Sequence, residues 1–313
     1  MNKSTKIWLN YLLGAAISTA LLWGIYVQVK DQLGKVDSET WWHSGPSIFL
    51  LIGILLMPVN LALETLKWKI LVGSAQPVSY KQAFASLLAG NSLSIVTPNR
   101  IGEYPGRILY LQRKNTFRLI GVSVLGACAQ LLTVFLFGII GLIYYNITYP
   151  GRGELIALIG SVLAITIVAF LYWRFEYWMP ILEKTKWIRR FQTYSQLLKR
   201  FSKKEQLTIL ILSILRFGVY TTQYLLLLYW MNIDIPVLEG FYTIMLFFWA
   251  LAIIPSIALT ELGVRGQVSI YLFHHYTTHI VGILAATIGL WFINLMIPAV
   301  IGSILLLRMR ILR

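Results

Sequence analysis

Thr97-Pro98-Asn99-Arg100-Ile101-Gly102-Glu103-Tyr104-Pro105-Gly106-Arg107 breaks an otherwise apolar region with prolines, glycines and a Glu-x-x-x-Arg pair. Pro255-Ser256-Ile257-Ala258-Leu259-Thr260-Glu261-Leu262-Gly263-Val264-Arg265 does the same in the other half of the chain. Charge is costly inside a bilayer, so charged side chains there mark a pathway or a binding site. Two similar interruptions in opposite halves point to a transporter built from inverted repeats.

Composition agrees with a membrane setting. The chain has 313 residues, 58% hydrophobic, 14% aromatic and 12% charged. That is a polytopic membrane protein, read as one domain over 1–313 with no room for a soluble catalytic domain. The net charge of +15 comes from Lys and Arg that flank apolar runs. The positive-inside rule accounts for them, and nucleic acid is not an expected partner. The single cysteine, Cys128, excludes a disulfide framework and reads as a small packing residue. Lys3 and Lys6 precede a first apolar run without a small-x-small cleavage site, which predicts an uncleaved span.

Full spans are expected at 7–28, 46–66, 118–146, 154–173, 206–231 and 279–307. Nine basic residues crowd 174–204, namely Arg174, Lys184, Lys186, Arg189, Arg190, Lys199, Arg200, Lys203 and Lys204, which places that segment in the cytoplasm. The tryptophans among them predict an amphipathic interfacial segment over 174–205, with a solvated basic loop as the alternative. Arg100, Arg107, Arg113, Lys114 and Arg118 put 99–118 near the same face, while 29–45, 147–153 and 232–239 are poor in base and read as external. Both termini then fall in the cytoplasm. Counting crossings leaves 82–114 and 238–276 as re-entrant hairpins that enter from opposite faces. The expected fold is all-α: about six spans plus these two hairpins. Backbone broken at that depth is tolerated where it is buried in protein or lines a wet cavity.

Candidate functional residues follow from depth. Arg216 lies about ten residues into the fifth span, roughly 15 Å deep. Tyr220, Gln223 and Tyr224 continue its face as a polar stripe. Arg216 is a substrate-binding candidate, or the structural partner of an acid such as Glu261 or Glu64. The first turn offers Asn91, Thr97, Arg100, Glu103 and Arg107, a set suited to a phosphate-bearing headgroup or to touching lipid phosphates at the interface. The second offers Thr260, Glu261 and Arg265, with Gly263 and Gly266 allowing close approach or positive φ; the alternative there is a self-neutralising Glu261–Arg265 pair. Glu64 reads as a boundary ion pair with Lys67. His274, His275 and His279 lack a partner acid or cysteine, so no metal is expected. No catalytic triad, Walker or zinc motif is present, and neither a cofactor nor chemical catalysis is expected.

Thr97-Pro98-x-Arg100-x-Gly102-Glu103-x-x-x-Arg107, Glu64-x-x-x-Trp68, and Pro255 followed by Leu262-Gly263-Val264 resemble the lysylphosphatidylglycerol synthase transmembrane-region family, the flippase module of the multiple peptide resistance factor. The resemblance covers nearly the whole chain. It implies two re-entrant hairpins around a cavity and movement of lipids or lipid-linked groups between leaflets. The second hairpin departs from the family's Gly-Gly-x-Gly-acid pattern: Gly266 stands where the acid is common, leaving Glu261 as the candidate for its role. The expected function is therefore a lipid flippase of a bacterial-type plasma membrane, acting on an anionic or phosphate-bearing lipid. Alternatives are a small-solute secondary transporter, or a scaffold for a lipid-synthesising partner enzyme or glycosyltransferase.

Overall fold

In a computed structural model of the chain, residues 23, 44–95, 97, 102–111, 116–150, 152–174, 201–254 and 261–307 are described. Among them the chain is all-helical, with no strand. The helices are α1 (Ser47–Gly73), α2 (Tyr80–Ile95), α3 (Glu103–Leu109), α4 (Thr116–Thr148), α5 (Arg152–Trp173), α6 (Lys203–Trp230), α7 (Val237–Ile253), α8 (Glu261–Phe273), α9 (Ile280–Trp291) and α10 (Ile297–Leu307). A π-helical turn, Phe292–Met296, joins the last two into one rod. Five segments are long and apolar enough to cross a membrane: 47–73, 121–148, 155–173, 203–230 and 280–306. They correspond to five of the six expected spans. The expected first span, apart from Trp23, and most of 174–205 lie outside the described residues.

Helix α1 runs seven residues past the expected boundary at 66, to Gly73. The other four helices form two short pairs. Helices α2 and α7 have 16 and 17 residues. Those lengths are about 24–26 Å at 1.5 Å per residue, short of a ~30 Å hydrocarbon core. Helices α3 and α8, with 7 and 13 residues, are shorter still.

Local chemistry explains the boundaries. Capping boxes start α2 and α6: Gln82 N–H donates to Ser79 Oγ and Ser79 N–H to Gln82 Oε1, and Ser202 and Glu205 make the same exchange. Helix α2 stops where Thr97 Oγ1 donates back to Leu93 O while accepting from Gly102 N–H at 2.8 Å. The loop is thus pinned across its own break. Gly102 is needed there, because a Cβ would strike the Leu93 carbonyl and Thr97 side chain.

Three apolar clusters order the bundle along its length. One joins the end of α1 (Trp68, Leu71, Val72), the start of α2 (Ala83), Ile108 of α3 and Leu111 just after it, the start of α4, the end of α5 (Tyr172) and the start of α6. The opposite end gathers the end of α4 (Leu142, Tyr145), the end of α6, much of α7, the end of α8 (Leu272, Phe273) and the start of α9. Between them, Ile95 of α2 and Leu262 of α8 meet on Trp291, Leu295, Met296 and Ala299. The α2–α3 hairpin therefore begins and finishes at one end of the bundle. The α7–α8 hairpin does so at the other, and the end of α2 and the start of α8 meet between them.

Helix pairing crosses between the two halves. Helices α1 and α6 run antiparallel: Gly45 N–H donates to Trp230 O at 2.6 Å, Gln223 to Gly53 O at 2.8 Å, and Arg216 to Asn60 Oδ1 at 2.9 Å. Helix α2 lies along α10, with Ser92 Oγ donating to Ala299 O at 2.7 Å. Helix α7 lies along α4, where Gly138 and Gly141 admit Trp249 and Leu246. In lipid such close packing at small residues, rather than exclusion of water, holds helices together. Helix α5 is outermost and exposes Leu155, Ile156, Ile159, Leu163 and Phe170. Gly266 does pack closely, against Leu284, but a Cβ at Gly263 would meet open space and no described glycine has positive φ. The expected special role of Gly263 is corrected on that ground.

Candidate functional site

Gly53, Asn60, Glu64, Lys67, Trp68 and Leu71 form the buried face of α1. Their spacing of three, four and seven residues puts the polar members in one stripe facing α6 and the first hairpin. Glu64 sits at the centre of it, 5% exposed. Its Oε1 lies 2.8 Å from Arg107 Nη2, and its Oε2 lies 2.7 Å from Lys67 Nζ and 3.1 Å from Arg216 Nη1. Arg107 Nη2 also bonds Glu103 Oε1. Two acids and three cations from α1, α3 and α6 thus share one cluster, with Glu64, Lys67 and Arg107 buried and Glu103 and Arg216 partly buried. The expected Glu64–Lys67 pair exists, but the reading of Glu64 as a boundary group is corrected. Glu64 is the common counter-charge of three cations deep in the bundle. It is also the acid that Arg216 meets.

Several neutral groups position these charges. The Arg107 guanidinium lies 4.9 Å over the Trp68 ring, and Trp68 Nε1 donates to Ser86 Oγ at 3.0 Å. Ser86 Oγ in turn donates to the Arg107 carbonyl at 2.6 Å, so both ends of Arg107 are tied to α1 and α2. Arg216 lies midway along α6. It stacks 5.3 Å from the Tyr220 ring and reaches Gln130 Oε1 at 3.4 Å, which Lys67 Nζ also approaches at 3.5 Å. From Asn60 an amide chain continues: Asn60 Nδ2 donates to Asn294 Oδ1, and Asn294 Nδ2 to Gln223 Oε1, each at 3.1 Å. Asn294 lies in the π-helical turn just before Pro298. Such turns accommodate a missing helix hydrogen bond and recur at functional sites.

The structure brings together Glu64, Glu103, Arg107 and Arg216, with Tyr220 beside them and Gln223 joined through two amides. Tyr224 is fully buried and bonds Thr287 Oγ1 at 2.6 Å, apart from this chain of contacts. Asn91 is buried, its carbonyl accepting from Ser94 Oγ. Thr97 pins the break. Arg265 donates to Glu261 Oε1 from Nε at 3.0 Å and Nη2 at 2.8 Å, and neither residue is among the ion partners of Glu64. Arg100 and Thr260 lie outside the described residues. Asn60, Gln130 and Asn294 were not expected. The signal was there: Asn60 precedes Glu64 by four residues and Lys67 by seven, and Gln130 and Asn294 each interrupt long apolar runs. His275 stacks 4.2 Å on Tyr149. Burial and the neighbouring His274 hold its pKa below the usual histidine range.

The sequence pattern of a family described as "Lysylphosphatidylglycerol synthase TM region" matches residues 11–302. None of the curated proteins compared with the chain matches it.

Proposed function

The chain belongs to the lysylphosphatidylglycerol synthase transmembrane-region family, and we propose from that membership that it moves a phospholipid or lipid-linked headgroup between leaflets of a plasma membrane. The observation that carries this reading is the cluster around Glu64. Five ionisable groups are held in the core of a bundle whose outer faces are apolar. A cluster that served stability alone would be replaceable by apolar packing, often at no loss.

With lipid around the five long helices, both hairpins are re-entrant and enter from opposite leaflets. The antiparallel α1–α6 pair, and the exchange of α2–α10 and α4–α7 contacts, support a two-fold inverted repeat about an axis in the membrane plane. On this reading the headgroup passes the Glu64 cluster while its acyl chains stay in lipid. Basic residues at the α5–α6 end (Arg174, Lys203, Lys204) favour a cytoplasmic placement of that end. Glu103, Arg107 and Arg216 take the headgroup, Gln223 holds the amide chain, and Glu261–Arg265 braces the second hairpin.

The test is translocation of fluorescent short-chain lipids in liposomes reconstituted with the purified protein, read by quenching of the outer-leaflet label. Arg216→Leu leaves Lys67 and Arg107 balanced by Glu64 and Glu103, so folding is retained. Translocation should fall to the protein-free rate. Full translocation by well-folded Arg216→Leu would remove Arg216 from the pathway. No translocation of any lipid by the wild type would sink the reading.

A further inference from the structure

The arginines of the two hairpins hold their acids differently. Arg265 donates to Glu261 from both Nε and Nη2, so that edge of its guanidinium is filled. Arg107 receives Glu64 and Glu103 at Nη2 alone, and its Nε is buried with no hydrogen-bond partner. Nε and Nη2 form the edge that meets two oxygens of an oxyanion side by side. In Arg107 half of that edge is idle in a residue only 7% exposed.

Charge adds a second observation. Lys67, Arg107 and Arg216 against Glu64 and Glu103 leave one positive charge among the described groups of the cluster. The two carboxylates are also unequal. The Glu64 side chain is 6% exposed and held by three cations, whereas that of Glu103 is 23% exposed and opens the seven-residue helix that follows the break.

We propose that Glu103 is a placeholder on Arg107 that a phosphodiester monoanion displaces, its two non-bridging oxygens taking Nε and Nη2. The inference rests on the lipid-translocation reading and names the ligand class of that site. Glu103 swings off Nη2 but, one helical turn before Arg107, keeps its charge beside the cluster, so a single added negative charge neutralises the described groups. A dianionic phosphomonoester would leave one charge unmatched where little water is available to screen it. Glu103 thereby sets charge selectivity as well as occupancy. The second hairpin, whose arginine is already filled, reads no phosphate.

The experiment measures binding to the detergent-purified full chain at pH about 8, where a phosphomonoester is dianionic. The probes are glycerophosphoglycerol and glycerol 3-phosphate, alongside short-chain phosphatidylglycerol and phosphatidic acid. The wild type should bind the diester of each pair more tightly than the monoester. Glu103→Gln, nearly isosteric, raises the net charge by one and should shift the ratio towards the monoester by about tenfold or more. Arg107→Lys keeps the charge but loses the fork. It should weaken both classes while the diester preference persists.

An unchanged ratio in monodisperse Glu103→Gln, or binding of neither class by the folded wild type, overturns the proposal. Should wild-type liposomes translocate lipid while that ratio stays fixed, the inference fails and the translocation reading stands. Should the soluble headgroups bind as tightly as the lipids, with the ratio shifting as expected, the charge class stands. The site then reads the headgroup alone, and the liposome translocation assay decides whether its source is a lipid or a free phosphodiester.

Discussion

Glu64 shows how a charged residue persists inside an apolar bundle. A lone carboxylate there would be neutralised or expelled, but three cations within 3.1 Å make it the anchor of the site. Removing it leaves Lys67, Arg107 and Arg216 facing one acid. Glu64→Gln should therefore destabilise the protein by about 3–5 kcal/mol, the scale for breaking a buried pair. Lys67→Met in the same chain removes one of the stranded cations and should recover part of that loss, with a coupling of about 1–3 kcal/mol. Denaturant unfolding of the two single variants and the double variant in mild detergent measures it, and simple additivity would mean the two groups do not share a field. That Glu64 pairs with Lys67 was legible from their spacing of three residues. That it organises the cluster was not, because the acid's partners lie 43 and 152 positions away at Arg107 and Arg216.

At the scale of elements, the hairpins depend on how closely their helices approach. Gly106 of α3 faces Gly90 of α2, and a Cβ at Gly106 would lie 2.7 Å from the Ala89 carbonyl oxygen and the Gly90 Cα. Backbone on both sides cannot move aside, so Gly106→Ala should cost about 1–3 kcal/mol by overpacking. It should also pull Arg107, the next residue, off Glu64. Gly263→Ala in α8 meets nothing and should be neutral or stabilising by up to about 1 kcal/mol. Thermal unfolding of the two variants checks the contrast, and equal losses would show that the hairpins are packed alike. The prolines and Glu-x-x-x-Arg pairs announced both breaks. The chain could not announce which glycines touch, since that depends on the partner helix. The end of α1 escaped for a related reason. Hydropathy falls at Lys67, yet the helix continues because Lys67 is paired one turn back to Glu64.

For the whole molecule, the pairing of ends makes a topological prediction. The C-terminal end of α1 and the N-terminal end of α6 share one end of the bundle, and the α6–α7 and α8–α9 turns share the other. In a Cys128→Ala background, Ser74→Cys and Ser202→Cys should label from one side of the membrane only, and Asn232→Cys and Thr277→Cys from the opposite side. Labelling of Ser74 and Asn232 from the same side would break the antiparallel α1–α6 arrangement and with it the inverted repeat. The sequence by itself determined the membrane class, five spans that match the structure, the two broken segments and the family, because hydropathy, proline and unpaired-looking charge are properties of local chain. Only the tertiary structure decided that Arg107 and Arg216 converge on Glu64 while Arg265 stays with Glu261, and that an amide chain through Asn60, Asn294 and Gln223 supports them. Long-range ion pairs and interhelical hydrogen bonds depend on which helix faces pack together, and the shape of the assembled bundle sets that, not the period of any single segment.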